Sequence, residues 1–333
     1  MKPYKFTLLL GAGFTKNFGG PLGHEMWSLI FNQPEIQKNR KLKEKMLSDF
    51  NYENLYLTII QEKNGVTNEE ALAFQSAVHK AYSHLDSICH NLPPSSAFWG
   101  RCCNSFLDLF KPREEGVNGF VFTLNQDLFF ERNYYYSNII MPGIMRNAPQ
   151  FATQFNDAYS YPINEDGDYY ELPSKEDLAE SPLDAELGQF NYIKLHGSYN
   201  FRKHNGWNER QMVIGGSKKE AISKEPLLNE YFKVFEKAIA SSQTKLLVLG
   251  YGFRDQHINR ILNDASHDDR VKIYVMDPCG PDELRSRMCS QCGTAIWENL
   301  SGYFPYALNG LFDSNGVELP GWKDLLVNYF EIL

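Results

Sequence analysis

Four short apolar runs in this chain each end abruptly in a turn of glycines or polar residues, and that repeated pattern constrains the fold more than any other feature. Phe6 to Leu10 runs into Gly11-Ala12-Gly13-Phe14-Thr15, and Gly119 to Thr123 into Leu124-Asn125-Gln126-Asp127. Phe190 to Leu195 ends at His196-Gly197, and Lys245 to Leu249 at Gly250-Tyr251-Gly252. A fifth run, Val271 to Met276, ends at Asp277. Continuous apolar runs of this length, bounded by turn residues and separated by stretches of helical spacing, predict strands buried on both faces of a parallel sheet. The expected fold class is α/β, a Rossmann-like doubly wound parallel sheet with helices on both sides.

Helical spacing covers most of Glu25 to Phe110, so residues 24–115 are expected to form an inserted helical subdomain. Residues 1–23 and 116–333 would then make the main domain. Glu69 to Asn91 is the longest helical stretch, stopped by Pro93-Pro94, and Ser105 to Phe110 is a second, short one. The Lys-rich stretch Gln37 to Asp49 reads as a solvated helix face. Between Phe151 and Phe190 there are ten acidic residues and one lysine among Tyr, Pro and Asn. Residues 151–190 are expected to be a lid or a partner-binding excursion.

Composition bears on partners and compartment. With 33 Lys and Arg against 41 Asp and Glu, the net charge of −8 argues against direct nucleic-acid binding. No apolar run approaches the 18 residues of a membrane span, and the first run is too short for a signal peptide, so a cytoplasmic location is expected. Six cysteines in 333 residues do not make a disulfide framework. Cys289-Ser-Gln-Cys292, with Cys279 ten residues earlier, would need His257 or His267 to complete a zinc site; no metal is expected.

In open α/β sheets, ligands collect at the carboxyl ends of the strands, where all the turns above fall. A glycine corner before a helix lets a diphosphate approach backbone N–H groups and the positive end of the helix dipole. The corner here is not G-x-G-x-x-G, because Lys16 takes the third glycine's place, nor is it a Walker-type phosphate loop. Taken singly, the polar residues have plainer readings. Asn125 fits an Asx turn, Asp127 a helix-start carboxylate, His196 a turn histidine, and Asp255 the cap of a helix beginning near His257. Lys218 and Lys219 after Gly215-Gly216 fit a solvated loop as well as a phosphate contact.

Taken together, the motifs resemble the sirtuin family. Gly11-Ala12-Gly13-x-Thr15 is followed by Gly19 and Pro21, then by Thr123-x-Asn125-x-Asp127, Leu195-His196-Gly197 and a late Gly-x-Gly turn. The likeness is to the divergent bacterial branch that degrades NAD during antiviral defence, where G-A-G-F-[ST] and G-Y-x-x-x-D recur; Gly250-Tyr251-Gly252-Phe253-Arg254-Asp255 fits the latter. The resemblance implies that Gly11, Ala12, Gly13, Phe14, Thr15 and Pro21 surround the diphosphate. Gly250, Tyr251, Gly252 and Asp277 would line the adenosine half. Asn125 and Asp127 would hold the nicotinamide ribose and a water, and His196 would take a proton.

Several departures matter. The zinc ribbon of protein-deacylating sirtuins is absent, since no cysteine lies between His196 and Lys245. Leu22, Gly23 and His24 follow Pro21 where deacylases carry an acidic residue, Phe and Arg. Gln126 replaces the usual Ile, and Gly252 the usual Ser. The resemblance therefore implies hydrolysis of NAD, as substrate, to nicotinamide and ADP-ribose. The alternatives are an NAD-dependent deacylase or ADP-ribosyl transferase, and a non-catalytic NAD or ADP-ribose sensor. Control is expected from homo-oligomerisation or from a separate partner such as a HerA-type ATPase.

Overall fold

The structure, a computed structural model, describes residues 3–90, 103–133, 139–144, 170–187, 190–216, 218–241, 244–267, 271–292, 294–313 and 315–332. Seven strands form one all-parallel sheet: β1 (Pro3–Leu10), β2 (Asn118–Thr123), β3 (Ile139–Ile140), β5 (Phe190–Lys194), β8 (Thr244–Leu249), β9 (Val271–Met276) and β10 (Leu300–Phe304). Their order across the sheet is β10-β9-β8-β1-β2-β5-β3. Starting from β1, the chain first moves outward through β2, then returns from β5 to β8 on the other side. The strand order therefore reverses between β1 and β8, and a ligand crevice opens where their carboxyl ends diverge.

The runs become central strands because they are mostly apolar and most of their few buried polar side chains find partners: Asn191 donates to the Gly119 carbonyl, Lys194 to Glu131 and Lys245 to Glu331. Leu8, Leu9 and Leu10 of β1 pair with Leu247, Val248 and Leu249 of β8 and are all buried. The five strand positions read from the sequence hold. The sheet also contains β3 and β10, which the apolar pattern did not reveal.

A second sheet of three strands sits beside the main one. β6 (Gly197–Lys203) and β7 (Gly206–Met212) form an antiparallel hairpin, and β4 (Tyr170–Glu171) runs parallel to β6. The hairpin turns at His204-Asn205, where Asn205 has φ 54°. Asparagine is among the few residues other than glycine that adopt such a φ readily.

Between β1 and β2 the chain is helical. The longest helix, Asn68–His90, opens with a reciprocal capping box: Thr67 N–H donates to the Glu70 carboxylate at 2.7 Å, and Glu70 N–H to Thr67 Oγ1 at 3.2 Å. The helix packs on Gly23–Phe31, on Pro34–Gln37 and on the helix Phe129–Asn133 that follows β2. A buried bidentate pair, Arg132 to Asp86 at 2.9 and 3.1 Å, ties it there. In the Lys-rich stretch Gln37 to Asp49, the helix Arg40–Ser48 turns Arg40, Lys41 and Glu44 to solvent, as expected, and buries Leu42 and Met46 on its other face.

Of the acidic stretch 151–190, residues 151–169 lie outside the described residues. Residues 170–187 include β4 and the helices Lys175–Glu180 and Leu183–Glu186. No helix among the described residues is long and apolar enough to cross a membrane.

Candidate functional site

The carboxyl ends of β1, β2, β5, β8 and β9 open into one cleft with a volume of about 2170 Å³. Gly11, Ala12, Gly13, Thr15, Pro21, Asn125, Asp127, His196, Gly250, Tyr251, Gly252 and Asp277 all line it. Residues named from separate turns of the sequence thus share one cavity. Phe14 is the exception. It is only 2% exposed and stacks edge-on against Phe18 and Phe129, so its side chain belongs to the core.

The glycine corner is built first for packing. A Cβ on Gly11 would stand 2.5 Å from the Gly250 carbonyl, and one on Gly13 2.6 Å from Gly250 Cα. Gly250 itself has φ 64°, and its Cβ would meet Phe14 N at 2.4 Å. The N–H of Gly13 donates to the Gly250 carbonyl at 2.9 Å and that of Phe14 to the Gly11 carbonyl at 2.9 Å. The corner's small residues therefore let β1 and β8 interlock at the switch point, in addition to any approach by a ligand. Ala12 is exposed to the cleft.

Thr15 does something the sequence reading did not assign to it. Its side chain is buried, donates to Asp127 Oδ2 at 2.8 Å and accepts from Asn125 Nδ2 at 3.0 Å. Asn125 Nδ2 also donates to the Gly11 carbonyl at 3.0 Å. With its amide N–H groups so held, the asparagine has a fixed orientation, and no described residue engages its Oδ1. Asp127 is 8% exposed, and both of its oxygens are in use: Oδ1 accepts from Phe129 N–H at 3.0 Å. Burial raises its pKa, opposed by the Lys194 ammonium. Lys194 Nζ in turn donates to the Asp127 carbonyl and to Glu131 at 2.8 Å.

Gln126, beside these, does not offer a free polar group to the cleft. Its Oε1 accepts from the Tyr82 hydroxyl and its Nε2 donates to the Val213 carbonyl at 2.7 Å. Val213 N–H donates to the His196 carbonyl at 2.9 Å, so the end of the hairpin clamps the histidine turn.

His196 is 2% exposed, and its Nε2 lies 2.8 Å from Nε2 of His257. Burial pulls its pKa down to about 3, and that of His257 to about 4, with nearby Asp255 opposing both shifts. The Asp255 carboxylate is not a helix cap. It accepts from Lys218 Nζ at 2.6 Å, and burial of that carboxylate is outweighed by the two imidazoles and the lysine, which together lower its pKa. Lys218 belongs to the helix Lys218–Lys224, not to a solvated loop, and bridges Asp255 to Glu53 at 2.8 Å.

His196, Asp255 and His257 bring one ligand atom each within 4.8 Å of one another, a spacing that can hold a metal ion. A divalent ion there would have to share the Asp255 carboxylate with the Lys218 ammonium already bonded to it. The sequence reading missed His257, Lys218 and Glu53 as members of the site. The signal for His257 was the Asp-x-His spacing that starts the helix Gln256–His267.

At the carboxyl end of β9, Asp277 is less free than expected of a ribose acceptor. Its Oδ2 accepts from Arg287 at 2.9 Å and its Oδ1 from Cys279 N–H at 3.0 Å. Arg287 also reaches Cys279 Sγ at 2.9 Å. The Tyr251 hydroxyl is tied to the start of the helix Gln256–His267, bonding Asn259 Oδ1 at 2.9 Å. Gly252 is open, with only Arg254, exposed and lining the cleft, near the place of its missing Cβ.

A parallel sheet with a cleft at its switch point, walled by an asparagine, a buried carboxylate and an imidazole, is an α/β domain with the ligand crevice typical of open parallel sheets. The family model described as "SIR2-like domain" matches residues 119–296, more than half of the chain, and the chain belongs to that family. Family membership implies an NAD-related activity. No curated protein gives a significant match to the sequence.

Proposed function

We propose that this chain hydrolyses NAD to nicotinamide and ADP-ribose. The observation that carries the reading is that Asn125 and His196, from different strand ends, line the same cleft as the glycine corner of β1. Cleaving the nicotinamide–ribose bond develops positive charge on the sugar, and its electrons leave with nicotinamide, which departs neutral and needs no acid. Oxygens held in place near that carbon stabilise the transition state. The Oδ1 of Asn125, fixed by the bonds its amide makes to Gly11 and Thr15, is suited to orient a ribose hydroxyl or the attacking water. Asp127 acts through Thr15 as a positioning residue and adds negative potential.

An imidazole with a pKa near 3 is a weak base toward ordinary water. It suffices here. Water adding to a nearly free sugar cation becomes strongly acidic as the C–O bond forms, and its proton then passes readily to a weak base.

The absence of cysteines between His196 and Lys245 supports hydrolysis over deacylation, since a deacylase would build its peptide site with the missing ribbon. The G-A-G-F-T and G-Y-G-F-R-D turns support a place in antiviral defence as an NAD-depleting effector, held in check by self-assembly or by a separate ATPase partner. Purified protein incubated with NAD is expected to release nicotinamide, and Asn125→Ala or His196→Ala to stop it. Label passing from NAD to an acylated peptide or to protein would instead support a deacylase or transferase. Tight binding of NAD without consumption would support a sensor.

A further inference from the structure

His257 is half-buried, lines the cleft and faces His196 through Nε2 at 2.8 Å. The Leu124 carbonyl, which raises the pKa of His196, favours a proton on the ring nitrogen that does not face His257, Nδ1. A neutral imidazole carries one N–H, so the Nε2 of His196 is a lone pair, and the proton between the two rings belongs to His257. The lone pair that the NAD-hydrolysis reading needs is therefore already occupied. The Nδ1 of His257 is left as the available acceptor, bonded to no described residue.

We propose that His257 is a second catalytic residue, the outer member of a two-imidazole relay through which His196 receives its proton. The proposal rests on the NAD-hydrolysis reading. As the water oxygen bonds to the ribose carbon and the bond to nicotinamide breaks, the water's proton passes to Nδ1 of His257. The Nε2 proton of His257 moves to Nε2 of His196. His196 becomes an imidazolium, and His257 ends neutral in its other tautomer. Reversing the two transfers returns the proton to solvent after ADP-ribose leaves.

The surroundings suit a transient charge more than a standing one. Asp255 lies against both rings from the start of the helix Gln256–His267, and its charge favours the imidazolium. Lys218 from the helix Lys218–Lys224 neutralises part of that carboxylate and is shared with Glu53 of the helix Tyr52–Tyr56. Lys219 adds a further positive charge toward His257, and Phe232 packs on the ring at 5.5 Å. The pair is thus neutral at rest, with a carboxylate close enough to support one proton in passage.

Two measurements on the full chain test this. Histidine-15N spectra, assigned with the single variants, should show His196 in the Nδ1–H tautomer and His257 in the Nε2–H tautomer. The opposite assignment overturns the relay. In nicotinamide release, His257→Gln keeps a side-chain N–H donor for His196 but cannot pass a proton through. It should lose about 10²-fold in kcat with KM for NAD little changed, and free imidazole should restore part of the loss. Turnover of His257→Gln at the wild-type rate overturns the proposal. So does wild-type activity that a chelator abolishes and zinc restores, which would make the rings ligands. If the wild-type chain releases no nicotinamide while the tautomers are as stated, NAD hydrolysis fails and the relay fails with it as catalysis; only the hydrogen-bonded pair stands.

Discussion

The Nε2 atoms of His196 and His257 lie 2.8 Å apart, one on the turn after β5 and the other in the first turn of the helix Gln256–His267. Two rings at that distance, both buried enough to resist protonation, link the turn after β5 to the helix that follows β8. This gives the site a pH response that can be measured without substrate.

Both imidazoles are neutral in the fold down to about 3 and 4, whereas in the unfolded chain they titrate near 6.5. Across that interval the unfolded chain binds more protons, so stability contributed by the pair is present above about pH 6.5 and is lost as pH falls toward 4. His79, also pulled down to about 4 by burial, acts in the same direction. Asp127 and Glu131, whose pKa values are raised, act in the opposite one. Thermal unfolding should therefore shift down between pH 7 and 5 by more in wild type than in a His196→Gln, His257→Gln double variant. Equal shifts would mean the two rings are not held neutral.

Thr15 is the joint between Asn125 and Asp127. Thr15→Val keeps the shape but leaves Asp127 Oδ2 and the Asn125 amide without their shared partner. Such a loss at a buried site costs about 1–3 kcal/mol and frees the asparagine to rotate. Denaturant unfolding should show the destabilisation, and nicotinamide release should fall with it, while Thr15→Ser should retain both. If valine is tolerated in both measurements, the hydroxyl does not position Asn125.

Gly250 cannot accept a side chain without moving β1. The left-handed backbone alone costs a non-glycine residue about 1–2 kcal/mol, and the 2.4 Å approach to Phe14 N adds to it. Gly250→Ala is expected to lower the melting temperature and weaken NAD binding measured by calorimetry. Gly252→Ala, with open space before it, should leave the fold intact.

Much of the fold could be read from local pattern, because strands buried on both faces announce themselves as largely apolar runs. The positions of β1, β2, β5, β8 and β9 followed from that alone. β10, Leu-Ser-Gly-Tyr-Phe, is an edge strand with half-buried positions, so its pattern is diluted. The β6–β7 hairpin did carry a signal, Asn205-Gly206, which the focus on apolar runs passed over. In the site, the turn residues were legible because they follow strands directly. Thr15 as a link, and Lys218 reaching Asp255 across 37 residues, were not: side-chain partnerships between separate elements leave no spacing in the sequence. The same holds for the corner glycines, whose closest neighbour is a glycine more than two hundred residues away.

The most direct test of the account is the release of nicotinamide from NAD by the purified chain and its Asn125→Ala and His196→Ala variants, followed by chromatography. The account predicts equal amounts of nicotinamide and ADP-ribose from the wild-type chain and a loss of about 10²–10⁴-fold in each variant that remains folded. Unconsumed NAD in the presence of the wild-type chain, or equal turnover by all three proteins, would contradict it.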